Sequence, residues 1–399
     1  MAASEQLPSG PPKPRPWNDP RIRALVFQVA ILGGVTWVGW ILVRNTMTNM
    51  AALGIGTGFG FLGESADFGI LMSLIPFDES MSYLRVFYVG LINTLVVSAI
   101  GIVLSTILGF IVGIARLSNN WLVAKLSLIY IEIFRNIPLL LQIFFWYFFV
   151  LRTLPSVRNS ASLGGLVFFN NRGLFVPNPH AEPGFQWVLI TLAVAVVLIV
   201  AWFRYVRRRQ NRTGHRLPAT WPSVAVFIGL PLLVFIALGQ PLHWSVPALK
   251  GFNFKGGASI IPEFAALLAA LTMYTSAFTA EIVRSGLQSV GKGQVEAARS
   301  LGLKPGRTLR LVVIPQAMRV IIPQLTSEYL NLTKNSSLAT AIGYPDLVAV
   351  FMGTTLNQTG HAVEIVAMTM AVYLTISLLI SLGMNIYNRA VAFESGRSS

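Results

Sequence analysis

Glu296-Ala297-Ala298-Arg299-Ser300-Leu301-Gly302, continued by a basic turn and then by Ile314-Pro315-Gln316-Ala317, is the stretch on which the reading of this chain turns. Apolar runs of membrane-helix length lie on both sides of it. In hydrocarbon every backbone amide must be paired within its own segment, so charged backbone broken by Gly and Pro has to lie in water. The stretch is therefore a loop between two membrane helices, and its Lys and Arg residues assign it to the cytosolic side. Residues 293–301 predict a short helix. Gly302 suits the left-handed conformation that ends a helix, and Pro305 can start the next turn. Ala297 and Ala298 carry no bulk that would hold a partner surface away. Glu296 offers one carboxylate to an arginine or a helix N-terminus of such a partner.

Working outward, 54% of the 399 residues are apolar and 11% charged, and several apolar runs reach the roughly 20 residues that cross about 30 Å of hydrocarbon. The expected fold is all-α and polytopic, with about eight transmembrane helices near residues 24–43, 85–115, 126–151, 186–203, 221–238, 262–284, 318–341 and 363–387. The net charge of +15 does not indicate nucleic acid, because most of the Lys and Arg collect in the segments this topology places inside, above all in the Arg204–Arg216 cluster. Both termini are then cytosolic. The absence of Cys excludes disulfides, thiolate catalysis and Cys-based metal sites, and the four His show no ligand spacing, so no metal site is expected. Residues 1–23 read as a Pro-rich cytosolic tail without a cleavage site. Residues 24–84 carry the first span and a periplasmic segment, and residues 152–261 an outer loop and a helix hairpin. Residues 389–399 form a second cytosolic tail.

The remaining segments, 85–151 and 262–388, hold motifs that resemble a known family. Gly90-Leu91-Ile92-Asn93-Thr94-Leu95, Phe134-Arg135-Asn136-Ile137-Pro138-Leu139-Leu140-Leu141-Gln142, Pro262-Glu263-Phe264-Ala265-Ala266-Leu267, and Leu332-Thr333-Lys334-Asn335-Ser336-Ser337-Leu338 are similar to the signature segments of polar amino-acid permeases of ABC importers. The loop 285–317 resembles their EAA loop, and the long form resembles the Q-type permeases of general L-amino-acid transporters. The resemblance implies a five-helix type I importer core with three added helices, set in a bacterial inner membrane. It implies coupling to a separate cytosolic ATPase dimer through Glu296, Ala297, Ala298, Gly302 and Pro305. It also implies a second, non-identical permease subunit, a periplasmic amino-acid-binding protein and an amino-acid substrate. No G-x-x-x-x-G-K-[ST] occurs, so ATP and Mg belong on the partner ATPase and no cofactor is expected on this chain. An ion-gradient-driven secondary transporter is the alternative; it would commonly show two matching halves, which the sequence lacks. A membrane enzyme or receptor would need a catalytic constellation or a soluble domain.

Ionisable groups inside membrane helices are costly and mark candidate sites. Glu132 with Arg135, and Glu281 with Arg284, are spaced three apart and are expected as structural ion pairs. The span near 318–341 crowds Glu328, Asn331, Lys334, Asn335 and Ser336 into one half of a helix. Such density calls for a water-filled cavity or another helix, and it favours an unwound segment that could hold a zwitterion. Lys334 is the candidate for the carboxylate and Glu328 for the ammonium. Gly109-x-x-x-Gly113 is a packing motif, and the aromatic run 144–149 an interfacial or lipid-facing surface.

Overall fold

The computed structural model describes residues 20–52, 57–215 and 217–396, so most of the expected N-terminal tail and the last three residues lie outside the described residues. The chain opens with α1 (Pro20–Ala52) and α2 (Tyr83–Arg116). Next come α3 (Trp121–Asn136) and α4 (Leu139–Phe144), the latter prolonged to Leu151 by a wider helical turn. The expected continuous span at 126–151 is instead broken, and its halves meet at 105°. Pro138 explains the break. It has no N–H to donate and forces its predecessor out of helical conformation. Gln142 repairs the damage, its Nε2 donating to the carbonyls of Phe134 and Ile137 at 2.9 Å each.

The hairpin α5 (Phe185–Thr213) and α6 (Thr220–Ala237) follows, then α7 (Pro262–Gln288). The loop helices α8 (Lys292–Ser300) and α9 (Pro305–Thr308) lead into α10 (Ile314–Asn335), which tightens into a 3-10 segment over Ser336–Ile342. After α11 (Leu356–Thr359), α12 (Ala362–Gly396) closes the described chain. Among the described residues six helices are long and apolar enough to cross a membrane, and the bent α3–α4 pair makes a seventh. The eight expected spans all fall on helices, the eighth being the more polar α10.

The segments flanking the hairpin are not plain loops. They fold into eight short strands, in a four-stranded antiparallel sheet and two two-stranded ribbons. β1 (Ala161–Leu163), β2 (Val167–Asn170) and β3 (Gly173–Val176) are joined by β8 (Ala258–Ile260) across the whole hairpin, with Leu174 opposite Ile260. Val157, Phe175 and Phe254 form a small core beneath the sheet. β8 runs directly into α7, so this module is fixed to one end of that helix and α8 to the other.

The helix core depends on missing side chains. A Cβ at Gly109 of α2 would collide with Thr279 of α7 and come within 3.0 Å of the Ser276 carbonyl; one at Gly113 would stand 2.6 Å from the Ala280 carbonyl. Gly286 of α7 meets Ile321 of α10 in the same way. Small residues let helix backbones approach closely where lipid provides no hydrophobic drive to associate. At the other end of α2, Asn93 and Thr94 satisfy irregular backbone. Asn93 Nδ2 donates to the Pro345 carbonyl at 2.8 Å, and the Leu347 N–H donates to Thr94 Oγ1 at 3.0 Å. The Ala349 N–H donates to the buried Asp346 at 2.8 Å, capping the turns that follow.

Overfilling a packed interface costs about 1–3 kcal/mol. Gly109→Val is therefore expected to lower the melting temperature of the detergent-purified protein by several degrees. Gly33→Val in α1, where nothing lies within 4 Å, is expected to leave it unchanged. Equal melting temperatures for the two variants would contradict this packing.

Candidate functional site

Two features stand out, at different depths of the same bundle. The first is the loop helix α8. It begins one residue earlier than expected, and Gly302 ends it with φ +79°, its N–H donating to the Arg299 carbonyl at 2.9 Å. Pro305 opens α9 at its first position. Glu296, Ala297, Arg299 and Gly302 are exposed. Ala298 is not: it is 5% exposed and turns inward, and its carbonyl accepts from the Leu303 N–H at 3.2 Å. Its small side chain thus serves the loop's own packing, so of the two alanines expected to leave room for a partner surface only Ala297 is exposed to one. Sequence reasoning also passed over Leu301, which is 84% exposed directly beside the cap.

The second feature is a polar cavity of about 240 Å³ between α7 and α10, lined by Tyr274, Thr275, Phe278, Glu328, Asn331 and Asn335. A neighbouring cavity of about 200 Å³ shares Phe278 and Glu328 with it and adds Arg135, Glu281 and Gln324 among its walls. Positions 328, 331 and 335 follow the helical period, so α10 presents them on one face. Lys334 falls out of phase and is exposed, and it lines neither cavity. Ser336 is buried and donates to the Thr333 carbonyl at 2.8 Å. The expected unwinding is a change of helix type: α10 continues regularly to Asn335 and only then tightens.

Of the two expected ion pairs, Glu281–Arg284 forms, with Arg284 Nε donating to Glu281 Oε2 at 2.9 Å. It is the only salt bridge among the described residues. Glu132 and Arg135 do not pair. Asn136 Nδ2 donates to Glu132 at 3.1 Å, while Arg135 lies over the ring of Phe278 at 5.2 Å. Three-residue spacing permits a pair without requiring one, and here the aromatic face of α7 holds the guanidinium. The result is a partly buried carboxylate, Glu328, and a guanidinium, Arg135, on the walls of one cavity and joined by no salt bridge. Charges of opposite sign kept apart across a polar cavity can receive a ligand carrying both signs.

Residues 216–393 match the family described as binding-protein-dependent transport system inner membrane component. Similar relatives extend over nearly the whole chain. The ABC transporter permease protein YhdX of Escherichia coli strain K12 is 58% identical over 376 residues, covering 94% of this chain and 95% of its own. The general L-amino acid transport system permease protein AapQ of Rhizobium johnstonii is 49% identical, with 94% and 93% covered. The glutamate/glutamine/aspartate/asparagine transport system permease protein BztB of Rhodobacter capsulatus is 40% identical, with 94% and 95% covered.

The opposite orientations of the two alanines give a direct check on the loop. Ala298→Gln should force the loop open and expose the bond after Arg299 to trypsin, whereas Ala297→Gln should leave digestion unchanged. Equal rates of cleavage at Arg299 in the two variants would contradict the inward placement of Ala298.

Proposed function

Because the chain belongs to the family of binding-protein-dependent transport system inner membrane components, and is a multi-pass ABC-transporter permease subunit rather than an enzyme, we propose that it imports L-amino acids. Membership in an ABC family sets aside the alternative of an ion-gradient-driven carrier. In this reading a periplasmic binding protein delivers the substrate, and a second homologous permease completes the translocation path. A cytosolic ATPase dimer, carrying the ATP and Mg, docks on α8. Both termini lie in the cytosol. The observation that carries the coupling role is the capped, solvent-exposed α8, held at the end of α7 opposite the β-module. Glu296, Ala297, Leu301 and Gly302 form its outward surface and Pro305 fixes its exit, so a movement of the ATPase surface is passed to α7 and α10, which border the cavity.

The cavity supports a role in the substrate path. A zwitterion moving through a low-dielectric region needs a partner for each charge, because an unpaired buried charge is prohibitive. Glu328 is proposed for the ammonium, with Asn331 and Asn335 as hydrogen-bonding neighbours. The carboxylate role assigned from the sequence to Lys334 passes to Arg135, because Arg135 shares a cavity wall with Glu328 and Lys334 lines neither cavity. Ser336, held by its own backbone, is left with a structural part.

Two outcomes test these assignments in the assembled, reconstituted complex. Removing the Glu328 charge should forfeit a charge-assisted bond of about 1.5–3 kcal/mol, so Glu328→Gln is expected to slow amino-acid uptake roughly tenfold or more while basal ATPase activity persists. Undiminished uptake would remove Glu328 from the substrate path. Gly302→Asp places a side chain at positive φ and a charge on the docking surface. Substrate-stimulated ATPase activity should fall sharply, with expression and melting temperature close to those of the native chain. Unchanged stimulation would refute the docking role.

A further inference from the structure

The α5–α6 hairpin stands apart from the features used so far. Its first 19 residues, Phe185–Phe203, contain no charged side chain, and at about 1.5 Å per residue they span roughly 28 Å, about the thickness of the hydrocarbon layer. The helix does not end there. It runs on for ten residues that include Arg204, Arg207, Arg208, Arg209 and Arg212, all exposed. Arg204, Arg208 and Arg212 recur every four residues and form one stripe about 12 Å long on the helix surface, with Arg207 beside it. Between Glu182 and Glu263 the sequence contains no Asp or Glu at all. No salt bridge among the described residues involves any of these arginines. Like charges stacked on successive turns repel one another, so the stripe calls for an anion from outside the chain.

Position selects the anion. Arg204 follows the apolar run directly, which puts the stripe at and just beyond the depth of lipid headgroups. Trp202 and Tyr205 stack with ring centres 5.8 Å apart at the same level, and Trp221 at the start of α6 is 79% exposed, as in the aromatic belts that sit at a membrane surface. α5 packs against α6, and both helices are otherwise largely exposed along their lengths, so the hairpin meets lipid on most of its surface. Guanidinium forks match phosphate oxygens two at a time. We propose that the Arg204–Arg208–Arg212 face of α5 is a binding site for anionic phospholipid headgroups, which hold the otherwise loosely attached hairpin at a fixed depth. The site makes no use of the transport cavity or of α8, and its test is independent of the transport reading.

The test is native mass spectrometry of the detergent-purified full-length chain with phosphatidylglycerol and phosphatidylethanolamine added in competition. The native chain is expected to retain phosphatidylglycerol preferentially. The triple variant Arg204→Gln, Arg208→Gln, Arg212→Gln should bind it at least roughly tenfold more weakly, with an unchanged melting temperature in lipid-free detergent. Should that variant fail to insert, Arg204→Gln with Arg212→Gln keeps three of the five α5 arginines to orient the hairpin and should still lose several-fold. Equal retention of the two lipids by the native chain, or an undiminished preference in the inserted variants, would overturn the proposal. So would displacement of phosphatidylglycerol by millimolar inorganic phosphate, which would mark a site for the free ion.

Discussion

Gly109 and Gly113 of α2 lie so close to α7 that neither position has room for a Cβ, and Gly286 of α7 seats the Ile321 side chain of α10. These contacts tie three helices into one body. In lipid the apolar side chains of a helix gain little by leaving their surroundings, so close backbone approach has to supply the association. The rest of the arrangement depends on it. α7 can carry the β-module at one end and the loop helices at the other only because its middle is fixed. α7 and α10 meet at Gly286 and Ile321, and the polar cavity lies between the same two helices further along.

The same body explains how irregular backbone is tolerated. The connection after α10 passes through Gly343-Tyr344-Pro345-Asp346-Leu347, which is neither long helix nor open loop. Asn93, Thr94 and Asp346 take up backbone groups that would otherwise be stranded without water. Tyr344 adds a hydrogen bond from its hydroxyl to the Asn93 carbonyl at 3.1 Å. The Tyr147 hydroxyl likewise donates to Glu263 at 2.8 Å, tying the far half of the bent α3–α4 pair to the start of α7. Polar groups are therefore spent on geometry at the ends of the helices. Glu328 and Arg135 are not used in this way: they line one cavity and are joined by no salt bridge.

Much of this was legible in the sequence, for definite reasons. Apolar runs report membrane helices because hydrocarbon leaves no other backbone solution. Gly302 and Pro305 reported the loop helix because left-handed caps and first-turn positions favour those two residues. The small-residue spacing in α2 pointed to packing, and packing is what it does. Other features were hidden. The strands are three or four residues long, too short to show alternation, and β3 meets β8 across the entire hairpin, a pairing that no local pattern announces. The bend at Pro138 was within reach, since a proline inside a helical run predicts a break. Crowding on α10 was read without its helical phase, so Lys334 was grouped with Glu328, although the period separates them. Asp346 carried no motif, and only the fold reveals that it is buried.

In the proposed reading α7 is a strut with the β-module on one side of the membrane and the α8–α9 loop on the other. The chain contains no Cys, so single cysteines can be introduced without background. Phe252→Cys, at a strand turn 77% exposed in the β-module, and Leu301→Cys, beside the cap of α8, are the informative positions. In intact cells a membrane-impermeant maleimide that reaches the periplasm should label Phe252→Cys and spare Leu301→Cys, and opening the inner membrane should make both reactive. Labelling of both positions in intact cells, or of Leu301→Cys alone, would contradict the account.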